Sequence, residues 1–201
     1  PTRTIYDVLV GRVAARQAVI QLNQGALGVI PASADLAGAA VEFDASTENL
    51  QLLARSLTGV RPNYDFIIID APPSMGALTL NSLGAADLLI VPVQTEYYAL
   101  EGIAGMLDTV ERVQGGLNRE LSILGILLTM FDGRTKLSQQ VEDNVRAHLG
   151  RRVFETVIPR SIRLAEAPSY GQAIFDYAPG SAGAEAYRAL AEEVLQRVSE
   201  A

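Results

Sequence analysis

The sequence lacks cysteine and tryptophan altogether, and its one histidine is His148. Without cysteine the protein cannot form disulfides, use thiolate catalysis or hold a cysteine-ligated zinc or iron–sulfur centre. A single histidine also disfavours a histidine-based zinc site, and we expect His148 to be an exposed helix residue. No apolar run approaches the roughly 20 residues that a membrane-spanning helix requires. A transmembrane protein and an electron carrier with cysteine ligands are therefore excluded.

Basic residues are also scarce, because 16 Lys and Arg face 23 Asp and Glu, giving a formal charge of −7. Any binding to nucleic acid must therefore come from a local cluster of basic side chains. Residues 1–4 have neither the basic leader nor the apolar core of a signal peptide, so we expect a cytosolic location. The length of 201 residues, 49% of them hydrophobic, is typical of one globular α/β domain over residues 1–201.

Short β-rich runs alternate along the chain with stretches of helical periodicity. This alternation predicts a mostly parallel sheet flanked by helices. The apolar stripes at spacings of three and four predict helices over residues 100–113, 137–149 and 187–198. The predicted strands, apolar throughout as expected of strands buried on both faces, are residues 27–30, 66–70, 88–93, 121–130 and 153–158.

One strand candidate, residues 66–70, ends in the carboxylate of Asp70 and is followed by Pro72 and Pro73. Ligands of open α/β sheets lie beyond the carboxyl ends of parallel strands, so Asp70 stands where a ligand is expected. Apolar residues before a terminal Asp form the Walker B pattern, which holds magnesium, often through water. An Asp that only ends a strand is an equally good interpretation of Asp70 alone, but the Ala-Pro-Pro-Ser continuation favours the magnesium site. Ser74 is predicted to be the N-cap of the next helix.

A second rim segment joins the strand at residues 88–93 to a helix and carries Gln94, Glu96, Tyr97 and Tyr98. The two tyrosines can be packing residues, or they can form part of a dimer or partner surface. The dimer interpretation is slightly favoured.

Two further loops follow strand candidates and present Arg134, Lys136, Arg160 and Arg163. These side chains can form a basic patch that contacts phosphates without reading bases. Alternatively each Arg pairs with a nearby carboxylate, and spacing alone favours this pairing.

Several strings, in order and with their spacing kept, resemble the ParA/Soj family of chromosome- and plasmid-partitioning ATPases. They include YDFIIIDAPPS, VPVQTEYYALEG, LGILLTMFDGRT, VIPRSIRLAEAPSYG and GAEAYRALAEEV, and the match runs from about Tyr6 to Val198. The resemblance implies an ATP-dependent switch in which two subunits sandwich two ATP molecules with magnesium. It also implies that the homodimer binds nonspecific double-stranded DNA in the nucleoid, and that a ParB-type protein stimulates hydrolysis and release.

The resemblance assigns roles to single residues. Asp70 matches the Walker B carboxylate, on the magnesium side of the catalytic site, where it would hold the metal indirectly. Arg134 in FDGRT and Arg163 in SIRLAEAP match the positions that contact DNA, against the pairing that spacing alone favours.

The adenine is assigned to a second set of residues. Met130, Pro159, Arg160 and Ser161 match the region that lines the nucleotide base. Ser161 departs from the family pattern, which usually has Asn after Ile-Pro-Arg, so the usual amide contact to the base is absent at this position.

The largest departure is the absence of a KGGVGKT-like loop or any other G-x-x-x-x-G-K-[ST] pattern. The expected fold is thus that of a deviant Walker, SIMIBI-type P-loop NTPase with the first strand, P-loop and second strand missing. Without the loop, no backbone N–H groups cradle the phosphates, so we expect no ATP hydrolysis by this chain alone. The missing first strand would leave apolar edges beside residues 66–70 unpaired. Either the sequence is part of a longer protein, or the sheet closes by a new or intermolecular pairing.

Two alternatives remain open from the sequence. A MinD-like, membrane-associated positioning ATPase shares the core but needs a basic amphipathic carboxyl-terminal helix. Glu192, Glu193 and Glu200 make the last helix acidic, which disfavours membrane binding. The other alternative is a non-enzymatic DNA-binding or dimerisation module.

Overall fold

The computed structural model describes residues 3–22, 27–36, 38, 49–74 and 76–200. The chain forms two compact units. The first comprises Pro1–Asp87 and Val110–Leu121, and the second comprises Leu88–Thr109 and Ser122–Ala201. The single domain over residues 1–201 stays a prediction.

The α-helices of the described residues are α1 (Ile5–Leu9), α2 (Ala15–Ala18), α3 (Leu52–Leu57), α4 (Ala77–Ala85), α5 (Ala99–Gly116), α6 (Lys136–Leu149), α7 (Ile162–Glu166), α8 (Ile174–Tyr177) and α9 (Ala182–Glu200). The strands are β1 (Ile20–Leu22), β2 (Leu27–Val29), β3 (Leu88–Gln94) and β4 (Ser122–Thr129). The three long helices predicted from periodicity, now α5, α6 and α9, are confirmed. In the part of the chain that the structure describes, no helix combines the length and the apolarity needed to cross a membrane.

The second unit is built on a parallel pair of strands. β3 and β4 pair from Leu88 with Ser122 to Gln94 with Thr129, which confirms the predicted parallel sheet. Successive β4 side chains point to opposite faces. Ile126 and Leu128 are buried against α5 and α6 in one cluster, and Leu127 packs in another with residues of α9.

The predicted apolar face of α9 is only partly correct. Leu190 and Val194 pack in the cluster around Leu127, whereas Tyr187 and Leu195 are exposed. His148 is exposed on α6, as predicted, and its Nδ1 lies 2.7 Å from the carbonyl oxygen of Asn144.

Residues 153–158 lie beside β4 but do not form the regular strand that the sequence predicts. Phe154 donates a backbone hydrogen bond to Ile126 at 2.9 Å, and only isolated parallel bridges are formed, at Val153 and at Pro159. Between the two bridges, the N–H groups of residues 155 and 156 donate to a carboxylate of α9.

In the first unit, β1 and β2 form an antiparallel pair with Ile20 opposite Val29 and Leu22 opposite Leu27. The strand predicted at residues 27–30 therefore exists. The expectation that it is a parallel strand buried on both faces is wrong, because Leu27 is exposed and its only described partner strand is the antiparallel β1. The apolar core of this unit consists of Val8, Leu9, Ala15, Ala18, Leu53, Leu57 and Val60.

The strand predicted at residues 66–70 is not formed. Ile68 is 92% exposed, and Phe66 is exposed as well, whereas Ile69 packs against the core of the first unit. The physical reason is the lack of a partner, since among the described residues no strand pairs with this segment. The new intramolecular pairing considered from the sequence is therefore not found within those residues.

Candidate functional site

Asp70 is exposed and lies on a segment of the first unit without regular secondary structure. The helix that follows, α4, begins at Ala77 with Gly76 as its N-cap, so the predicted N-cap role of Ser74 is wrong. Thr79, which is buried, donates from its hydroxyl to the carbonyl oxygens of Ser74 and Pro72. Thr79 thus fastens the segment after Asp70 to the first turns of α4.

A buried amide fixes α4 in turn. Asn81 donates from Nδ2 to the carbonyl oxygens of Asn49 at 2.8 Å and Ala77 at 3.0 Å, and its Oδ1 accepts from the N–H of Leu53 at 3.1 Å. Sequence reasoning missed both Thr79 and Asn81. Their only signal was a polar side chain among the apolar residues of a helix.

The described residues around Asp70 do not form a metal site from protein ligands alone. They fit a magnesium site that takes its other ligands from water and phosphate. Within the described residues, no group of three or more His, Cys, Asp or Glu side chains could hold a metal ion. Magnesium commonly uses one or two protein carboxylates and takes its other ligands from water and phosphate oxygens. The exposed carboxylate of Asp70 suits that arrangement.

In the second unit, the residues assigned to adenine lie close together, Met130 after the end of β4 and residues 159–161 before α7. We call this area the rim. Met130 follows the end of β4 in the left-handed region with φ 54°, and its side chain is half-exposed. Phe131 then donates a backbone hydrogen bond to Ile158 at 3.1 Å, and Arg160 donates one to Phe131 at 2.8 Å. These bonds place Met130 beside residues 159–161.

Two buried hydroxyls that sequence reasoning missed tie this rim together. The hydroxyls of Thr95 and Ser138 lie 3.2 Å apart, and the N–H of Thr95 donates to Thr129 at 3.0 Å. The hydroxyl of Thr95 also lies 3.4 Å from the carbonyl oxygen of Met130. The ends of β3 and β4 and the start of α6 are thus connected around the Met130 turn.

Arg134 stands on the loop after β4 with its side chain 89% exposed. Its guanidinium grips Asp132 with two hydrogen bonds, Nε to Oδ1 at 2.8 Å and Nη2 to Oδ2 at 2.7 Å. These bonds and the N–H of Arg134 lower the pKa of Asp132 to about 2, and the charge of Arg160 adds to the effect. The pairing that spacing alone favoured is confirmed for this residue.

Arg163 on α7 is held in a similar way. Its Nη1 lies 3.1 Å from Oε2 of Glu166, which also accepts a hydrogen bond from the hydroxyl of Tyr177 at 2.9 Å. The hydrogen bond with Tyr177 and the charge of Glu166 raise the pKa of Arg163. The hydrogen bond to Glu166 raises the pKa of Tyr177. The ring of Tyr170 stacks on that of Tyr177 with centroids 5.1 Å apart.

Comparison with known proteins identifies the family. A family model described as an AAA domain matches residues 1–123. The chromosome-partitioning ATPase Soj of Thermus thermophilus is 56% identical over 173 residues, which are 86% of this chain and 68% of the Thermus protein. The chain belongs to the ParA/Soj family of chromosome-partitioning ATPases. The chromosome partitioning protein ParA of Caulobacter vibrioides is 44% identical over 196 residues, 96% of this chain and 73% of that protein.

A solved structure supports the fold that was predicted for this ParA/Soj-family chain. Cobyrinic acid a,c-diamide synthase from Mycobacterium smegmatis, crystallised with a bound ATP analog and magnesium, superposes with a TM-score of 0.80 at 34% identity. The match covers 98% of this chain and 72% of that one. The predicted α/β fold of the P-loop ATPases is therefore confirmed.

The ParA/Soj chain thus carries its assigned residues in two places. In the second unit, backbone hydrogen bonds through Phe131 bring Met130 close to Pro159, Arg160 and Ser161; Arg134 follows Met130 on the loop after β4, and Arg163 lies on α7 just after Ser161. Asp70 belongs to the first unit.

The structure also tests the two interpretations of Tyr97 and Tyr98. Their side chains are 78% and 72% exposed, and the rings meet edge to face at 5.1 Å. The interpretation as core packing residues is wrong. The interpretation as a dimer or partner surface stays a prediction.

Proposed function

We propose that this ParA/Soj-family chain, when combined with the P-loop that its 201 residues do not contain, binds ATP and magnesium, forms a homodimer in the ATP state and then binds nonspecific double-stranded DNA. A ParB-type protein stimulates hydrolysis and release. The chain acts in the cytoplasm on the nucleoid and has no membrane partner. The observation that carries the proposal is the rim of the second unit, where the adenine-assigned residues lie next to two exposed arginines.

The adenine is proposed to lie against Met130 and Pro159. Met130 offers a half-exposed apolar side chain at the end of β4, as a base-binding surface requires. Ser161 is the N-cap residue of α7, but its side chain makes no capping hydrogen bond. Its hydroxyl is therefore proposed to meet the polar edge of the base in place of the usual Asn.

Magnesium, when bound, neutralises charge on the phosphates during phosphoryl transfer. Asp70 is proposed to hold it indirectly, and Thr79 to keep the segment after Asp70 in place. The 201 residues contain no G-x-x-x-x-G-K-[ST] loop to cradle the phosphates. We therefore expect no ATP hydrolysis by these residues alone.

DNA is proposed to bind through Arg134 and Arg163. Each guanidinium is largely exposed, and each is held by a single neighbouring carboxylate. Both guanidinium groups stay open to solvent on the side away from their carboxylates, so DNA phosphates can approach them. Contacts to phosphate carry no sequence information, which fits nonspecific binding.

The first test is duplex DNA binding across a salt series, with and without ATP and magnesium, by this chain and by a form restored at its amino terminus with a P-loop. Arg134→Ala and Arg163→Ala are each expected to weaken binding and to lower the slope of log K against log salt by about 1. Arg112→Ala, an exposed arginine of α5, is the matched control for the loss of one charge. Equal losses in all three variants would show only a general charge effect and contradict the assigned contacts.

The same experiment separates the alternatives. Binding that needs no nucleotide favours the non-enzymatic DNA-binding module. Binding to anionic lipid vesicles, with none to DNA, favours the MinD-like positioning ATPase, which the glutamates of α9 disfavour.

A further inference from the structure

Residues 154–158 lead to the adenine-assigned residues. They are held partly by a side chain and not by a continuous ladder of backbone hydrogen bonds. Phe154 and Ile158 donate backbone hydrogen bonds to β4, each at 2.9 Å. Between them, Glu155 and Thr156 donate from N–H to the two carboxylate oxygens of Glu193, at 2.8 and 2.9 Å. A residue of the last helix thus replaces part of the sheet.

Arg197, one turn further along α9, holds Glu193 in place. Its Nη2 and Nε donate to Oε1 of Glu193 at 2.8 and 3.1 Å. The same guanidinium donates to the carbonyl oxygens of Val153 at 2.8 Å, Arg151 at 3.2 Å and Leu124 at 3.1 Å. Both side chains are largely buried, with 19% of Arg197 and 15% of Glu193 exposed. One ion pair therefore connects α9, β4 and the start of the segment.

β4 has a matching irregularity. Its register with β3 skips Leu124, the residue whose carbonyl oxygen accepts from Arg197. The next residue, Gly125, lies under the ring of Phe154, over which the guanidinium of Arg197 stacks at 4.2 Å. A Cβ at position 125 would lie 2.5 Å from that ring and 2.9 Å from Nη1 of Arg197. The bulge and the glycine leave the space that the ion pair occupies.

The chemistry requires a carboxylate at position 193. Burial by itself raises the pKa of Glu193, but the N–H groups of Thr156 and Glu155 and the guanidinium of Arg197 outweigh it, so that the pKa is lowered. The group is therefore ionised near neutral pH and offers both oxygens as acceptors. A glutamine has only one acceptor oxygen, and its NH₂ would face an N–H group.

We propose that Glu193 and Arg197 are positioning residues, which set the path of residues 155–163 and so place Pro159, Arg160, Ser161 and Arg163 on the rim. The roles of those four residues rest on the proposed function. The placement itself rests only on the contacts of the ion pair.

Amide hydrogen exchange tests the placement. In Glu193→Gln we expect exchange about tenfold faster or more at residues 155 and 156, and also faster exchange at residues 158–163, because a charge-assisted contact is lost. Glu192→Gln, an exposed residue of the same helix with the same change of charge, should exchange as the unmodified protein does. Arg197→Lys, which keeps the charge but not the planar fork, should fall between them.

A packing control separates positioning from general stability. Val194→Ala removes apolar contacts of the same helix and leaves the ion pair intact. Both variants are also made in the form restored with a P-loop. When they are compared at equal loss of thermal stability, Glu193→Gln should weaken ATP-dependent duplex DNA binding several-fold more than Val194→Ala. If the two variants match in both binding and exchange at residues 158–163, the ion pair is only structural and the proposal is overturned. If the form restored with a P-loop binds no DNA, the proposed function fails, and exchange at residues 158–163 decides the positioning role by itself.

Discussion

Residues 66–70 and β4 have nearly the same apolar character but different environments. β4 is paired with β3 along its length and bonded to residues 153–158 on its other edge, and its Ile126 has no exposed surface. Residues 66–70 have no described partner strand, and Ile68 is 92% exposed. An apolar run therefore becomes a strand only where another backbone accepts its hydrogen bonds.

The largest expected effect compares the same substitution in the two places. Ile126→Ala should lower the free energy of unfolding by about 2–5 kcal/mol, because it leaves a cavity in the core. Ile68→Ala should change it by no more than about 0.5 kcal/mol. Urea unfolding followed by circular dichroism measures both. Similar losses would mean that residues 66–70 are packed in solution.

A smaller effect is expected from filling the space beside β4. Gly125→Ala should cost about 1–3 kcal/mol, because the added methyl group meets the buried ring of Phe154. Gly105→Ala is the matched control, since a Cβ there meets nothing within 4 Å on the exposed side of α5. It should stabilise the protein by about 0.5–1 kcal/mol. Thermal unfolding of both variants is the measurement, and a neutral Gly125→Ala would contradict the close packing.

The hydroxyls of the two units give the next comparison. Thr95→Val should cost about 1 kcal/mol, because the buried hydrogen bond between the hydroxyls of Thr95 and Ser138 is lost. Thr79→Val should cost less, since the carbonyl oxygens of Pro72 and Ser74 are on exposed residues that water can reach. Chemical denaturation ranks the two, and the reverse order would contradict the structural role given to Thr95.

The smallest effect is a titration. The pKa of Asp132 lies at about 2 instead of the ordinary 3.8, so the contribution of its pairing to stability is present above the ordinary value and is lost as the pH falls toward 2. Carboxyl-carbon NMR of the Arg134→Ala variant should show this pKa raised toward 3.8. Arg112→Ala should leave it unchanged. A midpoint near 3.8 in the unmodified protein would contradict the paired geometry.

The parts of the fold that depend on local pattern could be predicted. The periodicity of α5, α6 and α9 and the apolar runs of β3 and β4 needed no knowledge of distant residues. The failures among the strands depended on the pairing partner of the segment and not on its own apolar pattern. Residues 66–70 have no described partner strand, and β2 pairs with β1. In residues 153–158, two backbone N–H groups donate to Glu193.

The site divides in the same way. Family resemblance placed Met130 and residues 159–161 together, and the backbone bonds through Phe131 agree with that. Thr95, Ser138 and Arg197 were missed, because each acts through a contact with residues that the sequence does not mark. A polar residue within an apolar pattern was the only available signal.

The left-handed backbone of Met130 has a consequence for protein engineering. A side chain other than glycine in this conformation costs about 1–2 kcal/mol. Met130→Gly would therefore relieve backbone strain, yet it would also remove the apolar side chain from the rim. A search that selects for thermal stability alone would favour that exchange, whereas one that selects for nucleotide affinity would keep the methionine. Position 130 is thus a place where the two selection criteria are expected to lead to different sequences.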